Sequence, residues 1–359
     1  MKIIMHLFIL TLLALFACSC KDCSRYAKMT TTDKQARYVR PDCNSVYYWK
    51  TRFALNEYEK GFLKQYQVGR IYLHFFDVDA GDYVEDRYPY ALVPIGTVTF
   101  DSRKPEDVEI VPTVYLTCRA MTTLAAKQGE IGPLAEKLVT RILNMADYND
   151  LGPIHEIQLD CDWTQRTRET FYRFCDSVKV RLAPKRILLS ATIRLHQLGQ
   201  AAPPVDRGVL MLYNTGAFSR EETQNSILDE KDATQYLKKP IQYAIPLDYA
   251  WPTYSLGILF RNGTFLALLH QTDYPEGDLY SVEGDSWMDV LQEHVLENHL
   301  LKPGDRIRLE SVPFSTMSKV ASAVNRALPD MSHRNILYHL DSTNLSHYLS
   351  DEIQTAFAF

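Results

Sequence analysis

The sequence is poor in the signatures that mark common enzyme classes. It has no Gly-rich phosphate loop and no Gly-x-Ser-x-Gly elbow, which argues against phosphate-cradling and serine-nucleophile chemistry. No Cys-x-x-Cys pair is matched by a second His or Cys pair, so a structural zinc site is not expected. No His-x-His opens the first strand. His74, His196, His339 and several Asp could converge, but without a dense ligand motif the sequence predicts no metal and no cofactor. Positive charge is not in excess: 39 basic residues face 44 acidic ones, which argues against a nucleic-acid partner. The 7 cysteines show no regular spacing, so no disulfide framework is implied, and Cys118, Cys161 and Cys175 read as buried free thiols. Beyond the first residues, no stretch is apolar enough to span a bilayer.

What is present begins with an export signal. Lys2 supplies a positive start, Ile3 to Phe16 an apolar core, and Ala17 a small residue before Cys18. Leu15-Phe16-Ala17-Cys18 resembles a bacterial lipobox, which implies a signal peptide over residues 1–17 and lipidation of Cys18. Phe16 is bulkier than that pattern prefers, which leaves Cys20 or ordinary cleavage nearby as alternatives. Removing residues 1–17 takes away only Lys2 and moves the balance from −5 to −6 (38 basic against 44 acidic). Residues 18–44 are polar, without a sustained apolar period, and read as a tether. Acyl chains on Cys18 would hold the protein to a bacterial membrane, on its periplasmic or surface side, while the remainder stays in water. A hydrophobic content of 46% over this length suits one large domain, residues 45–359. The 22 Tyr and 4 Trp suit flat ligands such as sugar rings, and are also ordinary core material.

Along the chain, strands and helices alternate. Strands are expected at 46–49, 70–79, 111–118, 157–163, 186–195, 209–213, 241–247 and 335–341. Helical spacing joins Leu55, Tyr58, Phe62, Leu63 and Tyr66. It recurs over Ile131 to Met145, in Phe171, Phe174, Cys175 and Val178, over Thr316 to Leu328, and over Leu345 to Ile353. The pattern predicts an α/β fold, a (β/α)8 TIM barrel. Residues 254–312 depart from the repeat. Asn262-Gly263 between two apolar runs predicts a hairpin, and a helix at Trp287 to Leu301 and a strand at Arg306 to Val312 are expected after it. This segment reads as a small α+β insertion after the seventh strand.

One stretch concentrates the chemistry: Ile157-Gln158-Leu159-Asp160-Cys161-Asp162-Trp163. The period of two places Asp160 and Asp162 on one face with Gln158. Two acids at the carboxyl end of a buried strand are costly unless paired, bonded to a ligand or open to water. In a barrel that end is where sites are built. The same mouth is expected to collect Asp77 and Asp79, Arg194 and His196, Tyr213, then Asp248, Tyr249 and Trp251, and finally His339 and Asp341. Asp77 and Asp79 share a phase with Ile71, Leu73 and Phe75, so periodicity leaves their face undecided. Structural readings stand beside these: Asp162 and Asp341 as helix caps, Arg194 and His196 paired to Asp160 or Asp162, Trp251 as a loop plug, Tyr47 and Trp49 as core.

The fourth strand resembles the Asp-x-x-Asp-x-Asp-x-Glu signature of family-eighteen chitinase-like barrels. Asp160 and Asp162 match its second and third acids, Ile157 stands in place of the first, and Thr164 in place of the catalytic Glu. A resemblance over nearly the whole mature chain is to a group of bacterial lipoproteins with a glycosidase-like barrel. It is carried by Tyr47-Tyr48-Trp49-Lys50, His74-Phe75-Phe76-Asp77-Val78, Gln158 to Thr164, Ile193 to Leu198 and Tyr338 to Ser342. That resemblance implies a fold and a cell-envelope setting, and no catalytic assignment. The sequence thus leads to a membrane-anchored envelope lipoprotein acting on polysaccharide. In the enzymatic version it is a glycoside hydrolase, with Asp160 and Asp162 in acid/base or stabilising roles and Asp248 or Asp77 as the opposing carboxylate. Arg194, His196, Tyr213, Tyr249, Trp251, Asp79 and Asp341 would bind substrate. The alternative is a non-catalytic glycan-binding or scaffold lipoprotein, and Thr164 favours it.

Overall fold

The computed structural model describes residues 43–81, 92–270, 272–274, 276–284, 286–329, 331 and 333–359. The signal peptide, Cys18 and nearly all of the tether lie outside the described residues. The strands of the barrel are β1 (Asn44–Tyr48), β2 (Val68–Ala80), β3 (Glu109–Leu116), β4 (Glu156–Cys161), β5 (Leu188–Arg194), β6 (Arg207–Met211), β7 (Leu247–Pro252) and β8 (Asn335–Tyr338). Each pairs in parallel with its sequence neighbours, and β1 pairs with both β8 and β2, closing the cylinder. This is a (β/α)8 barrel.

The helices follow from simple local rules. Helix α1 (Glu57–Gln65) starts at Asn56, whose side chain accepts from Glu59 N while Glu59 bonds back to the Asn56 N–H. Helices α2 (Cys118–Ala126) and α3 (Ile131–Tyr148) together connect β3 to β4. The stripe Ile131, Ala135, Leu138, Val139, Ile142 and Ala146 is buried along α3. Helix α4 (Arg168–Leu182) buries Phe171, Phe174, Cys175 and Val178, each of which contributes roughly 1–3 kcal/mol by leaving water. Helix α5 (Phe314–Ala327) packs Met317, Val320 and Val324 inward before β8. The β5–β6 connection carries only a single helical turn, Leu195–Gln197.

Two expectations about elements need correction. The seventh strand is Leu247–Pro252, six residues later than 241–247. Ile241, Tyr243 and Ile245 do pack on the core, but as an irregular connection. Pro246 has no N–H for a ladder, so regular pairing begins after it. The insertion is not α+β. The Asn262-Gly263 hairpin forms as expected, with both residues at positive φ (50° and 72°). The helix expected at 287–301 is instead three short strands, Trp287–Val290, His294–Leu296 and His299–Leu301. The first pairs with Arg306–Glu310, and the other two close on Glu297 and Asn298, again both at positive φ. Leu256–Arg261, Thr264–Leu269, Tyr280–Glu283, Trp287–Val290 and Arg306–Glu310 make one five-stranded sheet, with His294–Leu296 and His299–Leu301 as a separate two-stranded one, and the insertion has its own small core, built on Leu259, Leu269, Tyr280, Met288, Val290, Leu301 and Ile307. Among the described residues, no helix is long and apolar enough to cross a membrane. Cys161 and Cys175 are buried free thiols, whereas Cys118, at the start of α2, is exposed.

Candidate functional site

The carboxyl-terminal mouth of the barrel is organised by β4 and β5. Asp160 and Asp162 emerge on the same face, as their spacing requires. Arg194, the last residue of β5, bonds to both: its Nη2 lies 3.2 Å from Asp160 Oδ1, and its Nε donates to Asp162 Oδ1. Asp160 is 4% exposed and also accepts from Thr192 Oγ1 at 2.6 Å. Burial raises its pKa, Arg194 opposes that shift, and Asp162 reinforces it. Asp162 keeps 43% of its side chain exposed and accepts weakly from Tyr115 Oη at 3.4 Å. For Arg194, burial works against the charge, and the two carboxylates more than offset it, holding the pKa above the ordinary guanidinium value.

Strand β2 resolves what periodicity left open. The register against β3 shifts between His74 and Phe76, so Phe75 is a bulged, extra residue. That one insertion exchanges faces. Arg70, Tyr72 and His74 line the interior before it, and Asp77 takes the interior phase after it, opposite Tyr115. His74 Nε2 and Asp77 Oδ1 are 2.7 Å apart, and the His74 ring lies 4.9 Å from that of Trp49. The Asp77 side chain is 28% exposed. Asp79 is engaged by Thr117 Oγ1 at 2.6 Å and by Arg119, whose hydrogen bonds hold its carboxyl well down, to about 2.

The opposite wall is aromatic. Tyr213, just past β6, and Tyr338, the last residue of β8, have ring centroids 4.8 Å apart. Tyr338 also meets Tyr47, Trp49 and Tyr254 at 5.5, 5.9 and 5.5 Å. Sequence reasoning named Tyr213 and missed Tyr338, Tyr115 and Tyr254. Tyr115 and Tyr338 each occupy an inward position at the carboxyl end of a predicted strand, which is the signal that was available. Among the described residues, the buried polar atoms in this region without a protein hydrogen-bond partner include Arg194 Nη1, His74 Nδ1, Tyr213 Oη and His339 Nδ1.

Several expected members of the mouth are elsewhere. Because β7 begins six residues late, Asp248 is its second residue and lies at the amino-terminal end of the barrel. It is fully buried there, held by Arg207 at 2.9 Å and by the Arg334 backbone and guanidinium at 2.7–3.1 Å. Tyr249 and Trp251 take the alternate phase, outside the cylinder. Tyr249 lies against His333, and Trp251 bonds Asn335 Oδ1 at 2.8 Å and meets Phe359. Neither can be a sugar platform at the mouth. His196 sits exposed in the turn after β5, its pKa lowered by partial burial and by Arg194. Asp341 caps the turn Ser342–Leu345 and pairs with Lys50 at 2.9 Å, so it serves as a cap, as its alternative reading held. Thr164 is exposed and takes part in the Thr164–Thr167 turn that leads into α4. Among the described residues, no group of three His, Cys, Asp or Glu is placed to hold a metal ion.

No protein-family model matches this chain, and no curated protein does. Solved structures with a similar backbone path include a chitinase from Chromobacterium violaceum (14% identity, TM-score 0.47, covering 88% of this chain and 98% of that one). The spore cortex-lytic enzyme SleL of Bacillus cereus matches at 14% identity and TM-score 0.44, over 83% of this chain and 72% of its own. A Group IV chitinase of Ostrinia furnacalis, solved with allosamidin, matches at 10% identity and TM-score 0.49, over 88% and 97%. The neighbours are thus chitinase-like barrels at low identity, and the barrel itself rests on the strand pairing described above.

Proposed function

We propose that the protein binds polysaccharide at the carboxyl-terminal mouth of its barrel and holds it without cleaving it. The observation that carries this reading is the occupation of the acids. Asp160 and Asp162 share Arg194, Asp79 holds Arg119, and Asp77 holds His74. Hydrolysis needs one carboxyl that keeps a proton within reach of the glycosidic oxygen and another that is ionised opposite it. Asp160, whose pKa is raised, is sealed beneath Arg194 and Thr192. Asp248 faces the other end of the barrel, and Thr164 has no carboxyl to offer. The hydrogen-bonding capacity left unspent at Tyr213, His74 and Arg194, beside the Tyr213–Tyr338 wall, suits hydroxyl-rich rings with apolar faces.

A second reading, hydrolysis, is favoured by the raised pKa of Asp160 next to an ionisable Asp162, the pattern of a proton donor with its partner. One experiment separates the two. The purified protein and an Asp160→Asn/Asp162→Asn variant are incubated with a panel of glycans, and both retention and released sugar are measured. Retention without release supports binding. Release that disappears in the variant supports hydrolysis, and neither retention nor release sinks both.

We infer a setting as well: the cell envelope, with lipidated Cys18 fixing the protein to a bacterial membrane. Lys2, the apolar run to Phe16 and the Leu15–Cys18 phrase support it. Cys18→Ser should move the protein from the detergent phase to the aqueous phase on cell fractionation. A native chain already found wholly in the aqueous phase overturns the anchor.

A further inference from the structure

Half of the exposed large apolar side chains among the described residues belong to the insertion, residues 254–312, so this segment buries its own apolar surface incompletely. Its five-stranded sheet ends on Thr264–Leu269. Ala267 and Leu269 face the small core, and Leu266 and Leu268, each 42% exposed, face outward. Among the described residues, no strand pairs with the outer edge of Thr264–Leu269, and no backbone bond outside the ladder to Leu256–Arg261 reaches it. The usual protections of such an edge are a charge, a proline or a bulge. Thr264–Leu269 has no charged residue and no proline. Its bulge, where Leu266 is the extra residue, lies near the turn and leaves Ala267, Leu268 and Leu269 in regular register with Leu259, Ile258 and Gly257. The opposite edge strand, Tyr280–Glu283, ends on a charge, Glu283, which Arg306 engages.

Phe218, in the connection after β6, extends this apolar surface. It is 43% exposed, and its ring meets that of Phe265 edge-on at 5.2 Å. Its backbone is fixed to the sheet by Arg308, 1% exposed, which donates to Phe218 O at 3.1 Å and to Arg220 O and Glu221 O at 2.7 and 3.0 Å. A large apolar ring is thus held in place facing water, which is unfavourable unless something covers it. The chemistry of the edge selects the occupant. Its backbone N–H and C=O groups are satisfied by a strand and not by a helix. Its side chains offer one hydroxyl, that of Thr264, too few polar groups for a sugar chain, and no charge for an ion pair. The matching partner is an uncharged, apolar strand, and a second copy of this chain supplies one. Antiparallel pairing about a two-fold at Leu268 sets that leucine opposite its own equivalent, with Leu266 on the diagonal of the same face.

We propose that the protein forms a two-fold dimer in which Thr264–Leu269 pairs with the same strand of a second copy and Leu266, Leu268 and Phe218 are covered. The dimer is independent of what the mouth binds. The test is sedimentation equilibrium of the purified full chain in density-matched detergent, from nanomolar to high micromolar concentration. The native chain should pass from monomer to dimer over that range. Leu268→Lys should raise the dissociation constant at least about tenfold, because the two-fold sets each new ammonium against its like. Val180→Lys, which charges an exposed apolar side chain on α4, should leave the constant unchanged. Amide hydrogen exchange gives a reading that needs no variant, should Leu268→Lys not fold. The outer-edge amides of Thr264–Leu269 should exchange more slowly as the native chain is concentrated through its dissociation constant. A native chain that stays monomeric overturns the proposal. So does a dimer that Leu268→Lys leaves intact, or one whose formation does not slow exchange at residues 264–269.

Discussion

At the scale of single residues, the mouth is governed by which acids keep their charge and against what. Asp160 and Asp162 were legible as a pair because a strand can only place i and i+2 together. Their shared partner was only one of the readings open for Arg194, since periodicity assigns a face but not a neighbour. His339 shows the same gap. It stands next to Tyr338 at the rim, where the sequence placed it among ligand-binding groups, yet burial pushes its pKa down from 6.5 to about 4, with Asp341 opposing and Lys50 assisting. A depressed His pKa stabilises the fold fully above pH 6.5 and loses that contribution as pH falls towards about 4, because the unfolded chain takes up the proton first. Urea midpoints of the native chain should therefore fall more steeply over that interval than those of His339→Gln. Parallel slopes in the two proteins would remove His339 from the acid response.

At the scale of elements, periodicity was reliable wherever one face is buried and the other is not. The stripes of α3 and α4 and the alternation of β5 are of this kind, and the structure keeps them. It failed where a single residue changes the phase. One extra residue at Phe75 carries Asp77 to the interior, and nothing in the local composition of β2 marks the bulge. It failed again at β7, where Ile241, Tyr243 and Ile245 alternate as well as any strand but precede a proline that cannot join the ladder. In the insertion, residues 287–301 carry Leu, Glu and Gln at spacings a helix accepts. Pairing with Arg306–Glu310 and the turn at Glu297-Asn298 outweigh that local preference.

At the scale of the whole molecule, the barrel has two polar ends with different duties. At the amino-terminal end, Arg70, Arg207 and Arg334 meet Glu109, Glu156 and Asp248, three charges of each sign. Arg70 bonds Glu109 at 2.9 Å and lies 3.6 Å from Glu156. This end is balanced and largely closed to water, as a buried ionic network must be if it is not to destabilise the fold. Asp248→Asn should leave Arg207 and Arg334 without their counter-ion and cost about 3 kcal/mol in urea unfolding. It should leave glycan affinity unchanged, and a loss of affinity at unchanged stability would return Asp248 to the ligand site. By itself the sequence determined the alternation of strands and helices, the closed barrel, the hairpin at Asn262-Gly263 and the pairing of Asp160 with Asp162. Each of these follows from the spacing of apolar residues or from a turn's demand on φ. Tertiary structure alone decided which end of the barrel each charge occupies and which cation it meets, because strand register, displaced by one residue at Phe75 and begun only after Pro246 at β7, is set by pairing with neighbouring strands and relocates a carboxylate.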